Sequence, residues 1–498
     1  MGVSGVRRNA AVAACVGGTM IACCEQERLT RVRGVKLQPG TVPSEALDAV
    51  LKLAGRLASD IAKYAVAESD ASLPDEFTTI QVDHHEAHAA SAFYTSSFDQ
   101  AAVIVCDHHS SPPLSVWMAG ANGFTRHPWE SGAGLASLYS ACAAVFGFAD
   151  GREHHLEALA RLDRGDDADR AASIWGYADG VVWAKDGWPL VVADWLGERP
   201  GLRHRARVAA ACQRALGRLL LAVARDVRAA LPASQLCLGG GLFYNTYFTT
   251  LLRRESIFDD VFVAPNPGNA GLAAGAALAV SKRHEAGARQ SVSPFLGPRF
   301  DLEEIKAILD NCKLSYDYCS EQEASAVAVD ALRRGHLVGW FQGRMEWGHR
   351  ALGNRSILAS PLSPYALDNL NVFLKQRERH RAYGVSVPEE AAAQFFSGPS
   401  SSEFMEFEYD VRDPELFRHI MLDGTSAIRV QTIPRHAEAR RFHDLHEAFG
   451  AVTGVPVLVN TSFNSVSEPI VCTPRDAIRV FFSTGLDLLV LDRFVVRK

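Results

Sequence analysis

Five short apolar runs in this chain stop abruptly at turns made of glycine, carboxylate, hydroxyl or amide residues. They are Ala101–Cys106 ending at Asp107, Leu236–Leu238 running into Gly239-Gly240-Gly241, Val261–Ala264 before Gly268-Asn269, Leu337–Phe341 feeding Gly343, and Val457–Val459 ending at Asn460-Thr461-Ser462. Such runs with such ends read as buried strands whose polar groups gather at one edge of a sheet. Helical periodicity separates them, as over 43–56, 84–93 and 205–230. Residues 1–283 therefore alternate strands and helices through glycine turns, which is an α/β pattern. A hairpin is expected over 10–15 and 20–25, around Gly17-Gly18. Residues 284–299 have linker composition, and a second unit follows.

The length of 498 residues allows about two to four domains with ample cores. A net charge of −6 argues against broad nucleic-acid binding. The N-terminal stretch lacks the apolar core of a signal peptide, and no apolar run reaches membrane-span length. Ten cysteines without a CxxC pair read as reduced thiols of a cytoplasmic protein.

The polar turns carry the chemistry. His84 and His88 are spaced i,i+4, so on a helix both rings share a face and can hold one metal; otherwise they are a solvated helix start. Asp107 follows a strand and can supply a third ligand, with His108 and His109 directly after it. Gly240 and Gly241, and the loop at Gly268, fit phosphate-cradling turns, a role that tight turns without a ligand share. In GRMEWGHRALGNRSIL (343–358), Arg344, Arg350 and Arg355 are spaced among glycines and suit bidentate binding of phosphate or carboxylate. Lys375, Arg377, Arg379 and Arg381 form a basic strip in an acidic protein. Arg429 lies on a strand after a turn at Asp423-Gly424. Asn460, Ser462 and Asn464 offer hydrogen bonds to a nucleotide or small polar substrate. His154 and His155 read as exposed helix histidines.

Taken together, HHEAHAASAFY, GGGLFYN, PNPGNAGLAAGAAL, WFQGRMEWGHRALGNRSIL, NVFLKQRERHRAYG and GVPVLVNTSFNSVSEPIVCTPRDA resemble the carbamoyltransferase family, which includes the nodulation-factor, cephalosporin and tobramycin O-carbamoyltransferases. The resemblance implies an actin/hexokinase-like duplicated α/β domain over 1–288, similar to the threonylcarbamoyl-transfer domain of tRNA modification. It implies a YrdC-like twisted-sheet α/β domain over 296–498. It further implies that the C-terminal domain makes carbamoyl-AMP and pyrophosphate from carbamoyl phosphate and ATP. The carbamoyl group then passes internally to a hydroxyl of a small-molecule natural product, as in antibiotic biosynthesis. By the same resemblance, Arg350, Lys375, Arg381, Arg429 and Ser462 bind the carbamoyl phosphate, ATP or adenylate, and Arg344, Asn460 and Asn464 join them as binding residues on their own chemistry. Gly240, Gly241 and Gly268 form nucleotide turns. His84, His88 and Asp107 hold a divalent metal, iron or magnesium. No nucleic-acid or membrane partner is implied, and the oligomeric state is left as monomer or homodimer.

The chain departs from that pattern in its N-terminal half. Arg8-Asn9 stands where the family has a His-Asp pair with a proposed catalytic base, and Asn269 replaces a metal-ligating aspartate. An arginine is no base near neutral pH, and an asparagine ligates without charge. Three explanations are open. His108 or His109 takes the catalytic role, the acceptor is a better nucleophile such as an amine, or the N-terminal site handles a different activated group.

Overall fold

The computed structural model describes residues 1–498 apart from 39, 68–72, 75–76, 109, 122, 131, 164, 166, 283–291 and 423–424. Most of the expected linker and the Asp423-Gly424 turn therefore lie outside the described residues.

The N-terminal half contains the same sheet twice. In the first, β1 (Gly2–Ser4), β2 (Ala11–Val16), β3 (Thr19–Glu25), β4 (Tyr64–Val66) and β5 (Thr79–Gln81) run in the order β3-β2-β1-β4-β5. The second is built from β6 (Ala101–Cys106), β7 (Leu114–Gly120), β8 (Gly123–His127), β11 (Gln235–Gly239) and β12 (Asp260–Val263), in the order β8-β7-β6-β11-β12. A small ribbon, β9 (Trp175–Ala178) and β10 (Val181–Ala184), is inserted between β8 and β11 of the second sheet. Each sheet pairs its first three strands antiparallel and its last two parallel. This internal duplication is the actin/hexokinase-like architecture, and it places the parallel strand ends of both halves toward one crevice.

Local chemistry explains the main elements. Gly17 and Gly18 take φ of 56° and 69°, the left-handed pair that a two-residue hairpin turn requires. The helix Ser44–Ala54 starts after Pro43 and stops at Gly55 in the left-handed conformation. The helix His84–Tyr94 is capped by Asp83, whose carboxylate accepts from the Glu86 N–H at 2.9 Å. It packs against the helix Leu272–Lys282 at Gly275, where a Cβ would sit 1.8 Å from the Ala87 carbonyl oxygen.

The C-terminal half is one open mixed sheet: β13 (Asp317–Tyr318), β14 (Val338–Phe341), β15 (Arg355–Ala359), β16 (Gly384–Pro388), β17 (Phe396–Ser397), β18 (Glu408–Val411), β19 (Ala427–Ile433), β20 (Leu458–Ser462), β21 (Leu488–Leu491) and β22 (Phe494–Arg497). Its order is β13-β22-β21-β14-β15-β20-β16-β19-β18-β17. Register sets Gly384 opposite both Asn460 and Arg429 on its two neighbours. The residues that sequence reading associates with ligands thus fall in one row.

The two halves are joined by the 343–355 loop. Trp347 is buried in the N-terminal core, in one cluster with Leu296, Ala90 and Leu278, and its N–H donates to the Pro294 carbonyl. Glu25 accepts from the Gly348 N–H at 3.0 Å, and Arg28 donates to the Gly348 carbonyl at 2.6 Å. Arg31 donates to the carbonyls of Pro469 and Ile470, each at 2.7 Å. Trp347→Ala is expected to lower the free energy of unfolding by about 3–5 kcal/mol, measured by urea denaturation, because it empties a buried site spanning both halves.

Candidate functional site

Two sites face one cavity. The first gathers at the strand ends of the duplicated domain. His84 and His88 project from one face of their helix toward Asp107 at the end of β6, as their i,i+4 spacing predicts. Ligand atoms of all three lie within 4.8 Å of one another. His84 Nε2 is 3.0 Å from Asp107 Oδ2, and His88 Nε2 is 3.9 Å from Oδ1. The His88 ring hydrogen-bonds the Pro267 backbone, while its Nε2 has no partner. Burial pushes the His88 pKa down to about 3, so the ring is neutral and offers a lone pair. Burial favours a protonated Asp107, but the His84 hydrogen bond, the nearby His88 and the Gly241 N–H outweigh it and bring the carboxyl to about 2. Two imidazoles and one carboxylate, with the buried His88 Nε2 unpartnered, fit a divalent transition metal. Gly240 makes the turn possible: its φ is +100°, and a Cβ would lie 2.1 Å from the Cys106 carbonyl oxygen.

His85, between the two, is used otherwise. Its ring nitrogens bond Ser115 at 2.6 Å and Ser110 at 2.8 Å, leaving neither for a ligand. His108 lines the cavity, with Nδ1 3.3 Å from the Ser137 hydroxyl. His109 lies outside the described residues. Asn269 also lines the cavity. Arg8 reaches across to Asp150 at 3.2 Å and packs over Gly151.

The second site is organised by a buried pair of charges within the 343–355 loop. Glu346 Oε1 accepts from the N–H groups of Leu352, Asn354 and Arg355 at 2.8, 2.7 and 3.0 Å. Arg355, fully buried, donates to the carbonyls of Gln342 (2.6 Å), Asn354 (2.9 Å) and Pro298 (3.1 Å) and stacks 3.6 Å over Phe341. Arg355 thus shapes the loop and binds no ligand. Arg344 is also committed elsewhere, donating to the carbonyls of Leu296 and Ile21 at 2.6 and 2.8 Å. Of the three loop arginines, Arg350 faces the cavity.

The basic strip divides in the same way. Arg377 and Arg381 line the cavity, with Arg377 stacked 4.2 Å from Tyr383. Arg379 is exposed and pairs loosely with Asp368 at 3.6 Å. Lys375 is buried, and its ammonium donates to the Ser462 carbonyl and to both oxygens of Asn464 at 2.6–2.8 Å. It holds in place the strand end whose Asn460, Ser462 and Asn464 line the cavity. Arg429 completes the set. Burial and the neighbouring Arg350 and Arg161 guanidiniums push its pKa down to about 9, and burial and Arg377 push Arg381 to about 10. Both remain charged at neutral pH. Such like charges, gathered in a dehydrated site, are a standing cost that an anion relieves.

Both sites open on a single cavity of about 1140 Å³. Asp107, Gly241 and Gly268 line it from one domain; Arg350, Arg381, Arg429 and Ser462 line it from the other. Sequence reading missed three further lining residues: Glu157, His349 and His154. His154 is accessible, but to this cavity, which corrects its reading as an ordinary surface histidine. Its neighbour His155 lies 3.2 Å from Arg381 and stacks on Phe148. The signal available was their position opposite the basic strip, which needs the interdomain packing to be seen.

The duplicated α/β domain and the arginine-bearing C-terminal sheet meet at this one cavity. Comparison with known proteins gives the family. Residues 61–278 match the family model described as carbamoyltransferase N-terminus, and 329–498 the one described as carbamoyltransferase C-terminus. The chain is 34% identical to "Nodulation protein NolO" of Bradyrhizobium diazoefficiens, over 84% of this chain and 79% of that protein. It is 33% identical to an uncharacterized protein of Synechocystis, over 88% of this chain and 79% of that protein. Among solved structures it is similar to the activator of 2-hydroxyisocaproyl-CoA dehydratase from Clostridium difficile, at 15% identity and a TM-score of 0.38, over 56% of this chain and 93% of that one. The chain belongs to the carbamoyltransferase family, and it is an enzyme of the transferase class. Among the described residues, no helix is long and apolar enough to cross a membrane.

The charge crowding is testable without knowing any substrate. Arg429→Met is expected to raise the thermal midpoint of the ligand-free protein by a few degrees, about 1 kcal/mol. It should also abolish any further rise on adding ATP, as followed by differential scanning calorimetry.

Proposed function

We propose that this protein makes carbamoyl-AMP from carbamoyl phosphate and ATP at the Arg350–Arg381–Arg429 centre and transfers the carbamoyl group to a small-molecule hydroxyl at the His84–His88–Asp107 centre. One observation carries the reading: a single cavity is lined by Asp107 of one centre and by Arg350, Arg381 and Arg429 of the other. An intermediate formed at one reaches the other without entering bulk water.

In the first stage, water displaces phosphate from carbamoyl phosphate. The resulting carbamate oxygen bonds the α-phosphorus of ATP as pyrophosphate leaves. Arg350, Arg381 and Arg429 neutralise the phosphoryl charge that accumulates, in a buried place where fixed cations act strongly. Asn460, whose Oδ1 is unpartnered while its Nδ2 is held by Gln431 at 2.8 Å, is set to accept from a carbamoyl or ribose donor. Ser462 and Asn464 are fixed by Lys375 and contribute hydrogen bonds at the same wall. In the second stage the acceptor oxygen attacks the carbamoyl carbon, its proton is removed, and AMP leaves.

At the acceptor side, the His84–His88–Asp107 donors suit an iron-class divalent cation better than magnesium, which prefers oxygen ligands. A cation there supplies charge to hold and polarise the phosphate or carbamoyl oxygen. His108, which lines the cavity next in sequence to Asp107, is our candidate to take the acceptor proton, a role Arg8 cannot fill near neutral pH. An amine acceptor would need less assistance from a base, and replacing His108 separates the two cases.

Two variants test the division of labour. Arg350→Ala is expected to reduce pyrophosphate release that depends on carbamoyl phosphate by at least about a hundredfold, the scale for losing a charge-stabilising group. His88→Ala is expected to keep that release and to lose bound metal, read by elemental analysis. Full pyrophosphate release by Arg350→Ala would refute the assignment of the adenylate centre.

A further inference from the structure

A second imidazole in this chain is prepared for a cation, far in sequence from His84 and His88 and outside the interdomain cavity. His443 lies on the helix Arg440–Thr453 and is fully buried. Its Nε2 is 2.8 Å from Glu390 Oε1, at the start of the helix Glu389–Phe395. Nε2 is thus engaged with the Glu390 carboxylate, and Nδ1 is the ring nitrogen left to face other groups. That Nδ1 is buried and has no hydrogen-bond partner. It faces two further carboxylates instead: Glu447 Oε2 at 3.7 Å and Asp444 Oδ1 at 3.9 Å.

These spacings are too long for hydrogen bonds and suit the edges of a coordination shell, where donors about 2.0–2.2 Å from a zinc-like ion stand a little over 3 Å apart. Ligand atoms of Glu390, His443 and Glu447 lie within 4.8 Å of one another. The neighbouring His446 is the control within the same helix. Its nitrogens bond Ser386 and the Phe442 carbonyl, each at 2.8 Å, so it is a saturated core histidine. The Arg and Lys side chains that approach Glu447 and Asp444 do so loosely from exposed positions: Arg435 is 3.9 Å from Glu447, and Arg440 is 3.9 Å from Asp444. Contacts of that kind are weak competitors.

We propose that His443 Nδ1 and Glu447, with Asp444 beside them, bind a divalent cation of the zinc class, and that Glu390 orients the ring for it. A carboxylate that fixes the free nitrogen of a ligating histidine is a recurrent support of metal sites. The cation would sit on the helix Arg440–Thr453, next to the helix that follows β16, whose first residue, Gly384, lines the cavity.

Titration of the metal-stripped full-length protein with Co(II), followed by visible absorption and by elemental analysis after desalting, tests this. His88→Ala isolates the proposed site from the His84–His88–Asp107 centre. In that background Co(II) should bind at one equivalent and raise the unfolding midpoint. Glu447→Gln, an exposed position that leaves folding undisturbed, should weaken that binding by about tenfold or more, the usual effect of disturbing a metal shell. Glu390→Gln should weaken it as well. Unchanged Co(II) affinity and stoichiometry in Glu447→Gln, or no bound equivalent in the His88→Ala protein, would overturn the proposal.

Discussion

The arrangement depends on two buried charges of opposite sign within twelve residues. Glu346 gathers three backbone N–H groups, and Arg355 gathers backbone carbonyls from the same loop and from Pro298. Neither charge reaches water. Together they force the chain between β14 and β15 into a compact shape that strand pairing alone would not produce. From that shape Trp347 enters the other domain's core, Gly348 meets Glu25 and Arg28, and Arg350 turns into the cavity. Removing one partner would leave the other buried and uncompensated, a loss of about 3–5 kcal/mol in comparable cases. Arg350 is therefore turned into the cavity by a loop that two buried charges shape from behind.

The same economy governs the rest of the cavity. Lys375 supports Ser462 and Asn464 from behind, and Gly240 lets the Asp107 strand end and the glycine turn approach. What remains exposed to the cavity on the C-terminal side is a group of guanidiniums with lowered pKa values. On the N-terminal side it is the Asp107 carboxylate, with the His84 and His88 imidazoles grouped behind it. One wall is built for negative charge, the other for a cation. The cavity between them is large enough for an adenylate and an acceptor together.

Much of this was legible in the sequence. Strand ends with polar turns placed Asp107 and Gly240 just past their strands, whereas the strand expected to stop before Asn460 runs on through it to Ser462. The i,i+4 spacing put His84 and His88 on one helix face. The hairpin and the long helix at 202–230 followed from glycine position and periodicity. What the sequence did not separate is function among similar residues. Arg344, Arg350 and Arg355 look alike in a glycine-rich loop, yet one joins domains, one faces the cavity and one holds the loop. The strip from Lys375 to Arg381 reads as a single basic surface; folded, it divides into a buried support, two lining residues and an exposed one. His154, His349 and Glu157 gained their place only through contact between domains, and no local pattern reports that.

The central claim is that the activated carbamoyl group passes through the shared cavity and not through solvent. Mixing Arg350→Ala and His88→Ala proteins, each lacking one centre, measures this directly when transfer of labelled carbamoyl to acceptor is followed. Internal passage predicts that the mixture transfers no faster than the sum of the two variants alone. Recovery of wild-type transfer on mixing would show the intermediate travelling between molecules and would contradict the account.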